Sequence, residues 1–378
     1  MTNAPALPVW LRARIRLLGW RNRLLANPRF QRHAARNPLL RPIARQRAGA
    51  LFDLVAGFTY TQALLATVES GLLDELAGGP KTLADASHAT GLADGAAERL
   101  LRAATAIGIA EEAAPGLWML GRHGAALQAN EGALAMIRHH RLLYRDLAEP
   151  LALLGANRSE PTALSRFWDY SSEDGEGVRT SSSAYSRLMS ASQAPVSEEV
   201  LFAFPFRKYA SLLDIGGGLG TFLSAVAARH PHLRLGLFDL PAVVAQARDA
   251  APGTPLEGRT TYHPGSFFHD PVPGGYELVS LVRILHDHDD EKALAILTAI
   301  RRSLLPGGAL LIAEPMAATR GAEAMGDAYF GLYLWAMNAG RPRSAGVIRR
   351  MLQEAGFRRS RQISTGQPLI TSLIVATA

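Results

Sequence analysis

Residues whose types and spacing suit chemistry gather in the C-terminal half of the chain. In LLDIGGGLGTFLSAVAARHP an apolar run closes on Asp214 and Ile215, three glycines follow, and a helical pattern runs from about Thr221 to Arg229. Gly216, Gly217 and Gly218 let a backbone approach a ligand where any Cβ would clash. Such a turn alone does not choose between cofactors, because dinucleotide-binding enzymes place a similar turn at the same point of their sheets. Two acids sharpen the choice. Asp239, followed by Leu240, ends the next strand pattern, LRLGLFDL, where a carboxylate can accept ribose hydroxyls. Asp214 beside the turn would repel a pyrophosphate and attract an ammonium or a sulfonium; its bland alternative is to cap loop amides.

A candidate base lies downstream. His286 follows the strand pattern ELVSLVRIL and opens HDHDDE, at the sheet edge where open α/β proteins place their sites. In-line methyl transfer to oxygen needs the nucleophile roughly 3–3.5 Å from the carbon and a base for its proton. An imidazole of pKa about 6.5 would deprotonate a phenol of about 10 at a cost of about 5 kcal/mol. For an alcohol no more acidic than water, the cost approaches about 12 kcal/mol. Proton removal must therefore accompany transfer. The competing uses of this run are a structural cap histidine and a metal site. Five adjacent side chains cannot all face one ion, so no metal is expected, and a helix should start at Asp289 or Asp290. Asp287 is expected to bond to backbone.

From Tyr209 onward the short apolar runs SLLDIG, LRLGLFDL, YELVSLVRIL, ALLIAEP and SLIVATA alternate with helical patterns, which predicts a parallel α/β sheet. DIGGGLGTFL, FDLP, GSFF, ILHDHDDEKALAIL and ALLIAEPM resemble, in that order, the motifs of the plant-type and bacterial small-molecule O-methyltransferases that use S-adenosyl-L-methionine. The resemblance covers the whole C-terminal half. It implies a Rossmann-like class I methyltransferase domain of α/β class, preceded by a mostly α-helical winged-helix dimerisation domain. It implies cofactor contacts from Asp214, Gly216, Gly217, Gly218, Asp239, Leu240, Ser266, Phe267 and Arg283, and His286 as general base oriented by Glu314. Substrate walls are implied at Tyr185, Met189 and Gln193, and after Glu314 at Tyr329, Phe330, Tyr333, Trp335, Met337 and Asn338. The same aromatic stripe at helical spacing would serve equally as core or interface. The chain departs from the family pattern in three places. Ser266 replaces an acid, His288 a tryptophan, and the acid usual near Pro342 is missing, which leaves open what besides Glu314 holds His286.

The remaining sequence must position these groups. A length of 378 residues suits two domains, and 48% hydrophobic with 19% charged residues excludes a largely disordered chain. The patterns suggest an arm over 1–50, a helical domain over 51–200 and the cofactor domain over 201–378. The absence of cysteine excludes disulfides, thiolate metal sites and a cysteine nucleophile, and fits a reducing cytoplasm. Helical spacing over Gln62–Leu76 and Ala96–Ile107 flanks TLADASHATGL, and two short strands are expected around Pro115-Gly116, a winged-helix outline. Further helices are expected over Ala133–Leu154, Ala163–Phe167 and Ala184–Leu201, with SSEDGEGVRTSSS as a loop. The helix that would read DNA offers only Arg99 and Arg102 among alanines and leucines, so a homodimer or domain interface is expected and no nucleic acid.

Eleven arginines, Arg12 to Arg47, precede the first acid, Asp53, and the net charge is +7. No uninterrupted apolar run approaches the roughly 20 residues of a membrane span. Trp10, Leu11, Leu17, Leu18, Trp20, Leu24 and Leu25 alternate with arginines before Pro28, which suits a helix lying on an anionic membrane surface. An arm packed on its own or a partner subunit would look the same. This arginine-rich start extends the likeness, within the family, to the purple-bacterial enzymes that methylate tertiary hydroxyls of 1-hydroxy carotenoids. That likeness implies a hydrophobic small-molecule substrate and work at the edge of a photosynthetic membrane.

Overall fold

The computed structural model describes residues 7–155, 160–168, 178–338 and 340–378, without the side chains of 168, 178–187 and 189–191. Packing divides the chain into two compact units, Met1–Ala125 and Ala126–Ala378. Strands of the large sheet begin only after residue 210, so the second unit also includes the helices that lead into it.

In the first unit, α1 (Val9–Ala26), α2 (Pro28–Arg36) and α3 (Arg41–Glu69) precede the short α4 (Leu72–Ala77). Asn27 starts α2, its side chain accepting the Arg29 and Phe30 amides at 2.8 and 3.4 Å. The helix expected to run through Leu76 breaks at Ser70-Gly71. Over an 18-residue window α3 has a mean hydropathy of 1.3, enough to cross a membrane by length and composition, against the expectation of no such segment. Gly57, Thr59, Tyr60 and Thr61 interrupt its apolar residues without adding charge.

Next come β1 (Lys81–Thr82), α5 (Leu83–Thr90), α6 (Asp94–Ala106), β2 (Ala110–Ala114) and β3 (Leu117–Leu120); α7 (Arg122–Gln128) then leads out of the unit. Thr82 and Asp85 cap α5 reciprocally. The three strands form an antiparallel sheet in the order β1-β3-β2. Ala97, Leu101 and Ala104 are buried, so α6 is a packed helix.

The second unit opens with α8 (Glu131–Asp146), α9 (Pro150–Leu154), α10 (Ala163–Trp168) and α11 (Val178–Ala203). The single helix expected over Ala133–Leu154 is two, because Pro150 cannot continue a helix from the preceding residues but fits at a helix start. Of the expected loop SSEDGEGVRTSSS, residues 178–183 are the first turns of α11, and 171–177 lie outside the described residues.

Strands and helices then alternate: β4 (Ser211–Ile215), α12 (Thr221–Arg229), β5 (Arg234–Asp239), α13 (Pro241–Asp249), β6 (Thr260–Pro264), β7 (Leu278–Val282), α14 (Asp290–Ser303) and β8 (Ala309–Glu314). A π-helical turn, Ala324–Tyr329, feeds α15 (Phe330–Ala336), and α16 (Ala345–Glu354), β9 (Arg359–Ile363) and β10 (Ser372–Thr377) complete the unit. The sheet order is β6-β5-β4-β7-β8-β10-β9. It is not wholly parallel, as the alternation had suggested. β10 runs antiparallel to both neighbours, because the few residues between β9 and β10 allow a hairpin return, whereas a parallel return needs a long crossover. The direction of winding reverses between β4 and β7, which opens a crevice at their C-terminal ends.

Alternate residues of the central strands bury into two layers. Leu212, Leu235, Leu237, Leu311 and Phe222 share one core with Phe206, while Leu213, Ile215, Leu281, Ile312 and Ile296 share the other. Phe206 is fully buried and meets the Phe204 ring edge-on and the Phe222 and His230 rings at a tilt. Phe206→Ala is expected to lower stability by about 3–5 kcal/mol in urea unfolding, and an unchanged midpoint would contradict this packing.

Candidate active site

The crevice between β4 and β7 is acidic at its floor. Asp214 is buried on β4 and accepts a hydrogen bond from Ser280 of β7 at 2.6 Å, the residue directly across the ladder. Asp239 ends β5, and its carboxylate accepts the Gly218 amide at 2.8 Å and the Leu240 amide at 2.7 Å. The glycine turn is thereby tied to the carboxylate that ends β5. Burial pushes Asp214 up to about 7, helped by the nearby charge of Asp239, although the Ser280 hydrogen bond opposes it. Burial likewise pushes Asp239 to about 6 against its two amide donors.

The turn leaves room where a ligand would need it. A Cβ at Gly217 would stand 2.9 Å from Asp214 Oδ2 and 3.1 Å from Leu237, whereas at Gly218, with φ +57°, open space lies beyond. One buried and one half-buried acid that gain from a nearby positive charge, beside a turn without side chains, fit a cationic cofactor with ribose hydroxyls. Gly216, Gly217 and Gly218 would line its amino-acid end, and Asp239 its ribose.

Further along the crevice, Ser266 sits in a turn whose amide donates to Asp270 at 2.8 Å, while its hydroxyl accepts the Phe268 amide at 3.3 Å. Phe267 and Phe268 meet the His288 ring edge to face, with centroids 5.6 and 5.2 Å away. Burial lowers His288 to about 4, so at neutral pH it is an uncharged aromatic wall. A histidine thus supplies a flat ring where the family's tryptophan is usual. Arg283, in the left-handed region at φ 60°, donates to Ser192 Oγ of α11 at 2.8 Å.

His286 lies in a 3₁₀ turn just past β7, opposite the end of β8. Glu314 there accepts the Ile284 and Leu285 amides through Oε1, at 2.9 and 2.8 Å, and pairs with His286 Nδ1 through Oε2. Both side chains are buried. Asp287 was expected to bond to backbone, but its Oδ1 faces His286 Nε2 at 3.2 Å, because the tight turn folds consecutive side chains toward each other. Burial disfavours the imidazolium, yet the carboxylates of Glu314 and Asp287 outweigh it and raise the His286 pKa above its usual value.

The missing acid near Pro342 is replaced by a different brace. Arg343 is buried and donates to the carbonyls of Leu285 and His288 at 2.6 and 2.7 Å and to Asp290 at 2.8 Å. Arg341 also pairs with Asp290, and its amide donates to the His286 carbonyl at 2.9 Å. Gly340, at φ +68°, passes so close that a Cβ would overlap the His286 carbonyl. The signal for this brace, GRPR, is legible only as three residue types at one turn. Asp289 caps α14, accepting the Lys292 amide at 2.8 Å.

The segment after Glu314 divides its aromatic residues. Tyr333 and Met337 are buried with Leu143, Leu153 and Leu164, which gives them the core surroundings weighed for this stripe. Trp335 is partly exposed and donates to the Leu153 carbonyl at 2.8 Å, and Asn338 is exposed at a left-handed turn. Phe330 stands edge-on to His286, centroids 5.9 Å apart. Two histidines of α8, not singled out from the sequence, hold the tyrosine hydroxyls: His139 bonds Tyr333 and His140 bonds Tyr329, each at 2.8 Å. Burial lowers the pKa of both imidazoles, that of His139 to about 4. Gln193 is half-buried on α11. Tyr185 and Met189 have side chains outside the described residues.

A doubly wound sheet with an acidic glycine-lined crevice and a carboxylate-held imidazole beside it defines a class I methyltransferase. Residues 144–358 match the O-methyltransferase domain, and the chain belongs to that O-methyltransferase family. It is 40% identical over 355 residues to demethylspheroidene O-methyltransferase of Cereibacter sphaeroides, covering 94% of this chain and 93% of that one. The enzyme of the same name from Rhodobacter capsulatus is 38% identical over 358 residues, with 94% and 88% covered. CalO1, a methyltransferase in calicheamicin biosynthesis solved in its SAH-bound form, is 28% identical, with a TM-score of 0.74 over 88% of this chain and 98% of that one. The cofactor is S-adenosyl-L-methionine, the methyl donor of the family.

An imidazole must be neutral to accept a proton, so kcat/KM is expected to rise with pH through an apparent pKa above about 6.5. Asp287→Asn should move that midpoint down by about one unit or more. A profile already flat from pH 5.5, or one that Asp287→Asn leaves in place, would contradict the arrangement.

Proposed function

We propose that this chain methylates the tertiary hydroxyl of a 1-hydroxy carotenoid of the demethylspheroidene type, with His286 as general base. The observation that carries the reading is the buried Glu314–His286 pair, with Nδ1 committed to that carboxylate and Nε2 facing Asp287 Oδ1 at 3.2 Å. When bound, S-adenosylmethionine supplies a methyl group on a cationic sulfur, which leaves with the bonding pair. Glu314 keeps the proton on Nδ1, so the lone pair of the neutral ring resides on Nε2. A substrate hydroxyl placed there gives up its proton to Nε2 as its oxygen bonds to carbon, because free alkoxide lies about 12 kcal/mol uphill. Asp287, close to Nε2, stabilises the imidazolium that results.

The wall beside the base suits an apolar chain. Phe330 presents a ring to His286, and the Tyr329 and Tyr333 hydroxyls are bonded to His140 and His139. Aromatic surface with its polar atoms already paired favours a hydrophobic substrate over a polar one. The relatives named for demethylspheroidene support the same choice.

Two contacts complete the proposal. On α3 the large side chains Leu51, Phe52, Leu54, Val55 and Phe58 are all exposed, a patch suited to a second copy of the chain in a homodimer. On α1 no residue is buried, and Trp10, Leu17 and Trp20 stand exposed among arginines. Such a helix suits the anionic surface of a cytoplasmic-side, photosynthetic membrane in which a carotenoid dissolves.

Incubation with methyl-labelled cofactor should transfer label to a 1-hydroxy carotenoid, and His286→Ala should cut turnover about 10²–10⁴-fold while cofactor affinity stays within a few-fold. Label appearing on phenolic, polyketide or bacteriochlorin substrates but never on the carotenoid would overturn the substrate; full activity of His286→Ala would overturn the base. Deleting residues 1–48 should weaken both liposome binding and activity on membrane-borne substrate, and unchanged values of both would reject the membrane role of the arm.

A further inference from the structure

A cavity of about 910 Å³ opens between α16 and the β9–β10 edge of the sheet, lined by none of the residues of the crevice or the base. Arg349, Arg350 and Gln353 come from α16, Arg358 from the turn after it, and Arg359 and Arg361 from β9. Arg359 and Arg361 lie opposite Thr377 and Val375 in the ladder, so these four share one face of the strand pair. Phe357 is buried in the layer under α16. No aspartate or glutamate is among the lining residues.

Five exposed guanidinium groups line one open hollow, where a bound anion would lower their mutual repulsion. Three other arginines of this unit are paired with carboxylates within the fold. Arg229 pairs with Glu198, and Arg341 and Arg343 with Asp290. Among the described residues, none of the five cavity arginines has a carboxylate within ion-pair distance. Charges on an edge strand also prevent strand-to-strand association. That explains Arg359 and Arg361, but neither the two arginines of α16 nor the hollow they help form.

We infer that this arginine cavity binds phosphate groups of an anionic bilayer, holding the methyltransferase unit against the membrane that contains its substrate. Guanidinium groups match phosphate oxygens in pairs, and a cluster of four to eight basic residues is what anionic headgroups recognise. The choice of a bilayer over a soluble polyphosphate rests on the membrane-dissolved substrate proposed above; the anion site itself does not.

The test uses the full chain and vesicles of phosphatidylcholine with or without phosphatidylglycerol, in the absence of substrate. The wild type should sediment with the anionic vesicles only, and less so as salt rises. The triple variant Arg349→Gln, Arg359→Gln, Arg361→Gln should bind them about a hundred-fold more weakly, roughly five-fold per arginine. The same three positions changed to lysine should retain most of the binding, and turnover on detergent-dispersed substrate should be unchanged in both variants. Equal vesicle binding by wild type and the glutamine variant would overturn the proposal. So would pyrophosphate, or duplex nucleic acid, bound by wild type and lost in the glutamine variant while vesicle binding persists. Because vesicle binding is read without methyl transfer, a wrong substrate would leave this result intact.

Discussion

A carboxylate buried at the end of a strand is affordable only when its oxygens are occupied, and Glu314 is occupied on both sides. One oxygen takes two consecutive backbone amides just past β7, and the other takes the imidazole. The same group therefore sets the path of the chain leaving β7 and the tautomer of His286. Because β7 and β8 are neighbours in the sheet, their C-terminal ends bring these partners together without a long loop. Arg343 and the close passage of Gly340 then hold the turn from its far side. The imidazole is fixed by hydrogen bonds to elements that are themselves rigid, the condition a general base needs for a fixed direction of proton transfer.

The crevice obeys the opposite electrostatic rule. Buried Asp214 and half-buried Asp239 lie close enough for the charge of Asp239 to raise Asp214, so a cation entering the crevice relieves a cost already present in the fold. A phosphate there would add to it. Charge sign thus separates a sulfonium crevice from a dinucleotide crevice on the same sheet architecture. The glycine turn sets shape, and the acids set the kind of ligand.

Much of this was legible in the residues. The strands carrying Asp214, Asp239 and Glu314 are short runs buried on both faces, and their apolar patterns mark them without ambiguity. The edge strands β6 and β9 escaped notice because TTYHP and RSRQI have neither an apolar run nor a clean alternation, being half-exposed at the sheet margins. The antiparallel turn of β10 escaped for another reason: direction is set by connection length, which a run of apolar residues does not encode. In the site, Glu314 and His286 were found as an ordered pair of motifs. The partners that Asp287, Arg343 and Gly340 bring to the His286 turn were not, because they depend on a tight turn that folds neighbours face to face. His139 and His140 were missed for a related reason. On an amphipathic helix a histidine pair looks like surface, and only the fold sets them against Tyr333 and Tyr329, far along the chain.

The proposed chemistry depends on the protonation of one ring, and nitrogen-15 NMR of the His286 imidazole across pH reads it directly. The expected result is a ring whose Nδ1 keeps its proton throughout, with Nε2 losing its own at a pKa above about 6.5, and a titration that changes when Glu314 is replaced by glutamine. A ring already neutral at pH 6 with its proton on Nε2 would contradict the arrangement on which the proposed base depends.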